Sequence, residues 1–313
     1  RYLPDVVVEH VHPQGRKPIN RVVFSDGTSA ECCDEHLWRI RTTNHRSRGQ
    51  DGEVISTADM MTRIGRTPMY VPMAAPVEYD AGDDLPVHPY LLGVLIGDGG
   101  LTVRVQLTTA DEELIEAVRP LLPKSIRARP TPSYGYHLAT EYGGRVADSI
   151  AMAKQLGISR RTLYSRLAKA GDLRDLGLMG RRSFEKSIPA RYMTAPPAAR
   201  LAVLQGLFDT DGSACPGSCD YSTSSLQLAD QVRELVQSLG GTVAVRSKVP
   251  TYSYKGEKRT GRTSYRIQVK LPTEMPAFRL GRKVAIFDRP HQRASAFRRV
   301  IRVEPAGEQE CQC

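Results

Sequence analysis

The sequence predicts an α+β protein: a mostly-β module at the N-terminal end, followed by an α/β region built twice over. Three observations carry this. The apolar run in "YLLGVLIGDGGL" returns in "AVLQGLFDTDGS", each time ending in aspartate and glycine. The order of helix and strand patterns after the first copy repeats after the second. Residues 1 to about 75 instead alternate short β-like runs with polar turns.

Taken in order, "DVVVEHV" and "NRVVFSDG" are such β-like runs, and "PMAAPVEYDAGDDLPVHP", rich in proline, glycine and acid, reads as a linker. From Tyr90 a helix carries Leu91, Leu92, Val94, Leu95 and Ile96 and stops at Asp98, Gly99 and Gly100. A strand "TVRVQLTT" and a helix "ADEELIEAVRPLL" follow, the acidic start of the latter suiting the positive end of a helix. "AKQLGISRRTLYSRLAKAG" has the turn of a helix-turn-helix, with Arg160, Arg161 and Arg166 on its second helix; a solvated helical hairpin is the equal alternative. The second copy places Leu201, Leu204, Leu207 and Phe208 on a helix up to about Thr210, with Gly212 as terminator. A strand near "DYSTSS", a helix "LQLADQVRELVQSLG" and strands "TVAVRS" and "SYRIQVKL" complete it.

Each motif helix has small residues four apart, Gly93 with Gly97 and Gly206 with Thr210, which leave a flat strip where two backbones can meet. Parallel packing on these strips brings Asp98 and Asp211 to one end. Two adjacent carboxylates repel, and oxygen-only ligation favours magnesium. A helix C-terminus is itself partly negative, so an aspartate there calls for a cation beside it. Asp209 has Ile96 as its counterpart in the first copy and is not a symmetric ligand. Two ordinary core helices ending in Asp-Gly turns are the plainer reading.

Near the second copy, "RSKVPTYSYKGEKRTGRTSYRIQVK" reads as two strands joined by a charged loop. Lys248, Lys255, Lys258, Arg259, Arg262 and Arg266 alternate with Tyr252, Tyr254 and Tyr265. Cations of this kind neutralise phosphates, and a two-stranded ribbon enters the ~12 Å major groove. The alternative is a solvated hairpin whose charges prevent edge pairing. The net charge of +10, with 44 Lys and Arg against 34 Asp and Glu, favours a polyanionic partner. No apolar run approaches the ~20 residues of a membrane span and no signal-peptide layout is present, so a cytoplasmic monomer without a membrane partner is expected. The six cysteines fit neither zinc spacing nor a secreted disulfide framework.

"LLGVLIGDG" and "LQGLFDTDG" resemble the paired signatures of LAGLIDADG homing endonucleases, in the version embedded in inteins. The resemblance implies a pseudo-symmetric domain of two αββαββα halves with the motif helices at its centre, Asp98 and Asp211 binding Mg²⁺ and cutting both strands of a long DNA site. It also implies a lysine near one cleavage centre from the K-x-I-P segment "FEKSIPARYM", which is Lys186, and a second from a late strand, for which Lys270 is the nearest candidate. Gln106 reads as a solvent-positioning residue or an ordinary sheet-face glutamine. "SAECCDEHLWRI" is similar to the intein block T-x-x-H, here from Cys33 to His36, and "AFRRVIRVEPAGEQECQC" to the start of the C-terminal splicing strands. The implied layout is a mostly-β Hint-type splicing module, 1–78 and 284–313, interrupted by an endonuclease at 79–283. The endonuclease halves lie at about 88–140 and 184–283, with the helix-turn-helix-like insertion at about 145–172.

The chain departs from the intein pattern in beginning at Arg1, ending at Cys313 without His-Asn, and carrying Cys33 for threonine. As written it is expected not to splice; a longer precursor would join its host-protein flanks. An active endonuclease, a DNA-binding remnant and a splicing element all remain open from the sequence.

Overall fold

The computed structural model describes residues 12–79, 85–102, 105–122, 126–131, 135–140, 170–254, 256–272, 274–289 and 297–312. The helix-turn-helix reading, with Arg160, Arg161 and Arg166, and also Lys255, fall outside them. The chain divides into two compact units, one of Arg1–Ala75, Gly240–Ala244 and Ser295–Cys313, the other of Pro76–Leu239 and Val245–Ala294.

The first unit is a six-stranded antiparallel sheet. Its strands are β1 (Pro13–Phe24), β2 (Ser29–Cys33), β3 (Leu37–Thr42), β4 (Glu53–Ser56), β5 (Met69–Pro72) and the late β16 (Phe297–Gln312), in the order β2-β1-β16-β5-β3-β4. β1 pairs with β16 from Pro13↔Gln312 to Phe24↔Val300, so residues from the two ends of the sequence share one ladder. Alternation along the strands turns Val22, Phe24, Ile40, Ile55, Met69 and Val300 onto a common core with Met60. Two short helices, α1 (Thr43–Ser47) and α2 (Thr57–Arg63), start on capping boxes, Thr42 with His45 and Ser56 with Asp59. The β-rich reading thus holds from residue 12 onward with two helical turns added, while the run "DVVVEHV" lies outside the described residues.

The second unit contains both motif helices, α3 (Pro89–Gly97) and α7 (Pro197–Asp211). Each has proline at its first helical position, where a missing N–H costs nothing. After α3 come β6 (Gly99–Gly100), β7 (Gln106–Leu107), α4 (Glu112–Val118), β8 (Ile126–Thr131) and β9 (Gly135–Thr140). Their sheet order is β6-β7-β9-β8. Asp111 caps α4 by accepting from the Glu113 and Leu114 amides, as its acidic start requires. The short helices α5 (Ala170–Asp175) and α6 (Ala190–Met193) precede α7.

After α7 come β10 (Gly212–Cys215), β11 (Ser218–Thr223), α8 (Leu226–Ser238), β12 (Thr242–Lys248) and, late, β15 (Ser264–Lys270) and α9 (Gly281–Phe287). The order β10-β11-β15-β12 follows the same first-second-fourth-third plan as the earlier sheet. One face of this sheet is apolar: Tyr221 meets Phe208 of α7 at a ring separation of 5.8 Å, and Ile267 and Val269 are buried. The ribbon read in the charged stretch between β12 and β15 is the antiparallel hairpin of β13 (Thr251–Tyr254) and β14 (Glu257–Thr260), with positive-φ Gly256 in its turn.

The linker reading also changes at its start. Fully buried Arg200 on α7 donates to the carbonyls of Ala195 (2.7 Å), Ser238 (3.1 Å) and Val77, and its guanidinium lies 4.8 Å from the Tyr79 ring centre.

The α3–α7 contact makes a direct prediction. A Cβ on Gly206 would stand 2.3 Å from the Tyr90 carbonyl oxygen, whereas one on Gly100 would meet nothing nearer than 3.7 Å. Gly206→Ala is expected to lower unfolding free energy by about 3 kcal/mol and Gly100→Ala by less than about 0.5 kcal/mol, read from urea midpoints. Equal midpoints would refute the close-contact account.

Candidate catalytic centre at the paired helix ends

The helices meet backbone to backbone. A Cβ on Gly93 would fall 2.2 Å from the Val203 carbonyl oxygen, the reciprocal of the Gly206–Tyr90 approach, and one on Gly97 would fall 2.0 Å from Thr210 Oγ1. Thr210 turns that hydroxyl back to the carbonyls of Gly206 and Leu207, which keeps it small on the contact face. Gly93 therefore faces Gly206 and Gly97 faces Thr210, so the helices run parallel and their C-terminal ends coincide. Asp98 stands just past the end of α3 and Asp211 is the last residue of α7. The glycine after each aspartate has its own steric reason: a Cβ on Gly99 would lie 2.1 Å from Leu95 O, and one on Gly212 2.5 Å from Phe208 O.

Two buried lysines answer the charge at these ends. Lys186 Nζ donates to the carbonyls of Ile96 (2.7 Å), Gly97 (3.0 Å) and Gly99 (2.7 Å). Lys283 Nζ, from α9, donates to Phe208, Asp209 and Gly212, each at 2.7 Å. Three ammonium protons thus meet three carbonyls left open where a helix ends. Ser225 Oγ holds the Lys186 carbonyl at 2.8 Å, and the Gln231 amide pairs with both backbone groups of Ile188 at 2.7 Å, which fixes the strand-like segment carrying Lys186.

The electrostatics are those of a concentrated cluster. Burial and then the Asp211 charge push the Asp98 carboxyl up to about 6, against the pull of Lys186 and Lys283. Burial also raises Asp211, while the same two lysines hold it down. Both lysines are lowered, by burial first, with the aspartates opposing that shift. Among the described residues no group of three His, Cys, Asp or Glu gathers, so the protein offers two carboxylates and no nitrogen or sulfur ligand. That donor set fits Mg²⁺, which keeps several waters and is commonly held by one or two carboxylates plus phosphate.

Asp209 serves another purpose. Only 2% exposed, it accepts from the Tyr90 hydroxyl (2.8 Å) and from the backbone amides of Arg279 (3.0 Å) and Leu280 (3.4 Å).

Lys270 is exposed at the last position of β15. Along β15, Ile267 and Val269 turn inward, so Arg266, Gln268 and Lys270 share the exposed face. Lys283, not named from the sequence, is the lysine whose ammonium meets the carbonyls at the end of α7. Nothing in the local pattern marks it, because α9 is short and the carbonyls it meets lie more than 70 residues earlier in the chain. Arg266 is paired with Asp220 at 2.6 Å on that same face. Lys248 is exposed at the end of β12; Tyr252, Lys258 and Arg259 are exposed on the β13–β14 hairpin, which also includes Tyr254. Arg262 lies 3.8 Å from the Phe184 ring centre, close in sequence to Lys186. Gln106 pairs with Gly100 across β6 and β7 and is half-buried. In the first unit, Cys33 ends β2 and His36 is exposed in the following turn, its ring 4.9 Å from that of Trp38.

Residues 198–271 match the family described as "LAGLIDADG-like domain". It is 26% identical over 287 residues to a protein of Mycobacterium intracellulare named replicative DNA helicase DnaB, and 33% identical over 190 residues to one of that name from Rhodothermus marinus. These matches cover 85% and 57% of this chain but only 41% and 18% of the relatives, so the chain spans well under half their length. Among solved structures, variants of the homing endonuclease I-DmoI align at 16% identity and a TM-score of 0.34, covering 65% of this chain and 96% of theirs. I-DmoI in complex with DNA and Ca aligns at 17% identity and a TM-score of 0.36, covering 63% and 94%.

Because folding raises the Asp98 pKa, the stability it contributes is present below its ordinary value and lost as pH rises through about 6. Asp98→Asn removes that penalty. At pH 7.5 the variant is expected to melt a few degrees above the wild type, a gap that closes as pH falls below about 5. A pH-independent gap, or a less stable variant, would contradict the assignment.

Proposed function

We propose that the chain is a site-specific DNA endonuclease of the intein-homing type, built on its LAGLIDADG-like domain and carried as an insert in a DnaB-type host protein. One observation carries the proposal: Asp98 and Asp211 converge at parallel helix ends, each end bound by its own buried lysine.

The reaction is hydrolysis of one phosphodiester in each strand. The water oxygen bonds to phosphorus, the bond to one deoxyribose oxygen breaks, and a proton ends on the leaving oxygen. Asp98 and Asp211 would hold Mg²⁺, which when bound activates water and stabilises charge on the phosphate. Lys186 and Lys283 favour the charged form of both carboxylates and add positive potential where an anionic backbone must approach. Lys258, Arg259 and Arg262 on and beside the hairpin suit phosphate contact, while Arg266 and Gln268 on the sheet face suit base edges.

The DnaB setting rests on the two named relatives. The chain contains no G-x-x-x-x-G-K-[ST] phosphate loop, so the similarity does not fall on that nucleotide-binding element. The first unit is then the splicing-type module, with Cys33 and His36 as its block residues and β16 as the returning strand. The pairing of β1 with β16 supports this, since an inserted domain leaves its host sheet joined on both sides.

The test uses the purified chain, Mg²⁺ and a plasmid library of randomised and DnaB-gene inserts. Staggered breaks at one long site are expected, reduced more than about 100-fold by Asp211→Asn with DNA affinity within about threefold. Tight binding without breaks would replace this reading with a DNA-binding remnant. Lys283→Met is expected to slow cutting at unchanged affinity, whereas Lys270→Ala is expected to weaken binding and lower the salt slope by about 1.

A further inference from the structure

The two lysines reach equivalent places by different supports. Lys186 depends on Ser225 and on the Gln231–Ile188 pair. Lys283 lies in the first turn of α9, whose preceding residues Arg279 and Leu280 donate their amides to Asp209. The Arg279 side chain closes the same joint, lying 4.4 Å from the Tyr90 ring centre and donating to Gln205 Oε1 at 2.7 Å. Gln205 in turn donates to the Pro276 carbonyl at 2.8 Å. The first motif has Ile96 at the position matching Asp209, a side chain that accepts nothing.

We infer that Asp209 is the positioning residue for Lys283 and has no share in placing Lys186. It acts through the Arg279–Leu280 backbone, which sets where α9 begins and so where the ammonium falls. Under the endonuclease reading, on which this consequence rests, the two cleavage centres can be disabled separately, and loss of Asp209 turns a double-strand cutter into a nicking enzyme. The placement itself does not depend on that reading.

The test compares the full-length wild type with Asp209→Asn and Tyr90→Phe. Asparagine brings one acceptor oxygen and a donating NH₂ to a site that holds three donors. Tyr90→Phe keeps both backbone bonds and the ring beneath Arg279. Brief treatment with acetic anhydride, read by mass spectrometry, reports the accessibility of each lysine. In Asp209→Asn, Lys283 is expected to react at least about tenfold faster while Lys186 stays within about twofold of wild type; Tyr90→Phe leaves both unchanged. Lys283 as protected as in the wild type, or both lysines exposed together, would overturn the inference. On a cleavable site, Asp209→Asn is expected to bind normally, cut one strand at the wild-type rate and accumulate nicked DNA. If the wild type cuts no DNA, the endonuclease reading falls and the lysine reactivities still decide the placement.

Discussion

The close approach of α3 and α7 at Gly93 and Gly206 is the constraint from which the rest of the second unit follows. With carbonyl oxygens standing where each missing Cβ would be, the helices have no freedom to rotate or to shift register. They run parallel, so their dipoles add at one end instead of cancelling. That end also holds Asp98 and Asp211. The packing therefore concentrates negative charge at one point, and a chain with this contact must bring cations to it.

Lys186 and Lys283 are those cations, and their geometry explains why burying them is tolerable. An isolated buried ammonium is costly, but one whose three protons all meet carbonyls, beside two carboxylates, recovers much of its lost hydration. In the resulting cluster burial and the Asp211 charge outweigh the two lysines and push the Asp98 carboxyl up to about 6. Such groups act as a unit, and removing one changes what its neighbours do. The cluster is also asymmetric. Asp209 and Ile96 occupy matching positions, one a buried acceptor of three hydrogen bonds and the other apolar.

The sheets place chemistry by a simpler rule. In β15 one parity packs on the helices and the other faces outward, which separates Ile267 and Val269 from Arg266, Gln268 and Lys270. A residue of the outward parity joins the buried face only if the whole strand flips. The β13–β14 hairpin shows the reverse case: β14 is exposed along its whole length, so its sequence carries charge in place of an apolar face.

The sequence by itself determined the duplicated motif helices, their small-residue strips, the two terminal aspartates and the β-rich character of the first unit. All of these are local patterns, legible because helix and strand periods and glycine chemistry act over a few residues. Tertiary structure alone decided which second lysine meets the other helix end, what Asp209 does, and which distant strand completes the first sheet. Lys283 lies more than 70 residues from the carbonyls it binds, Asp209 about as far from Arg279, and β16 nearly the whole chain from β1. Contacts of that range leave no periodic trace in sequence, because they are fixed by where whole elements pack rather than by the residues beside them.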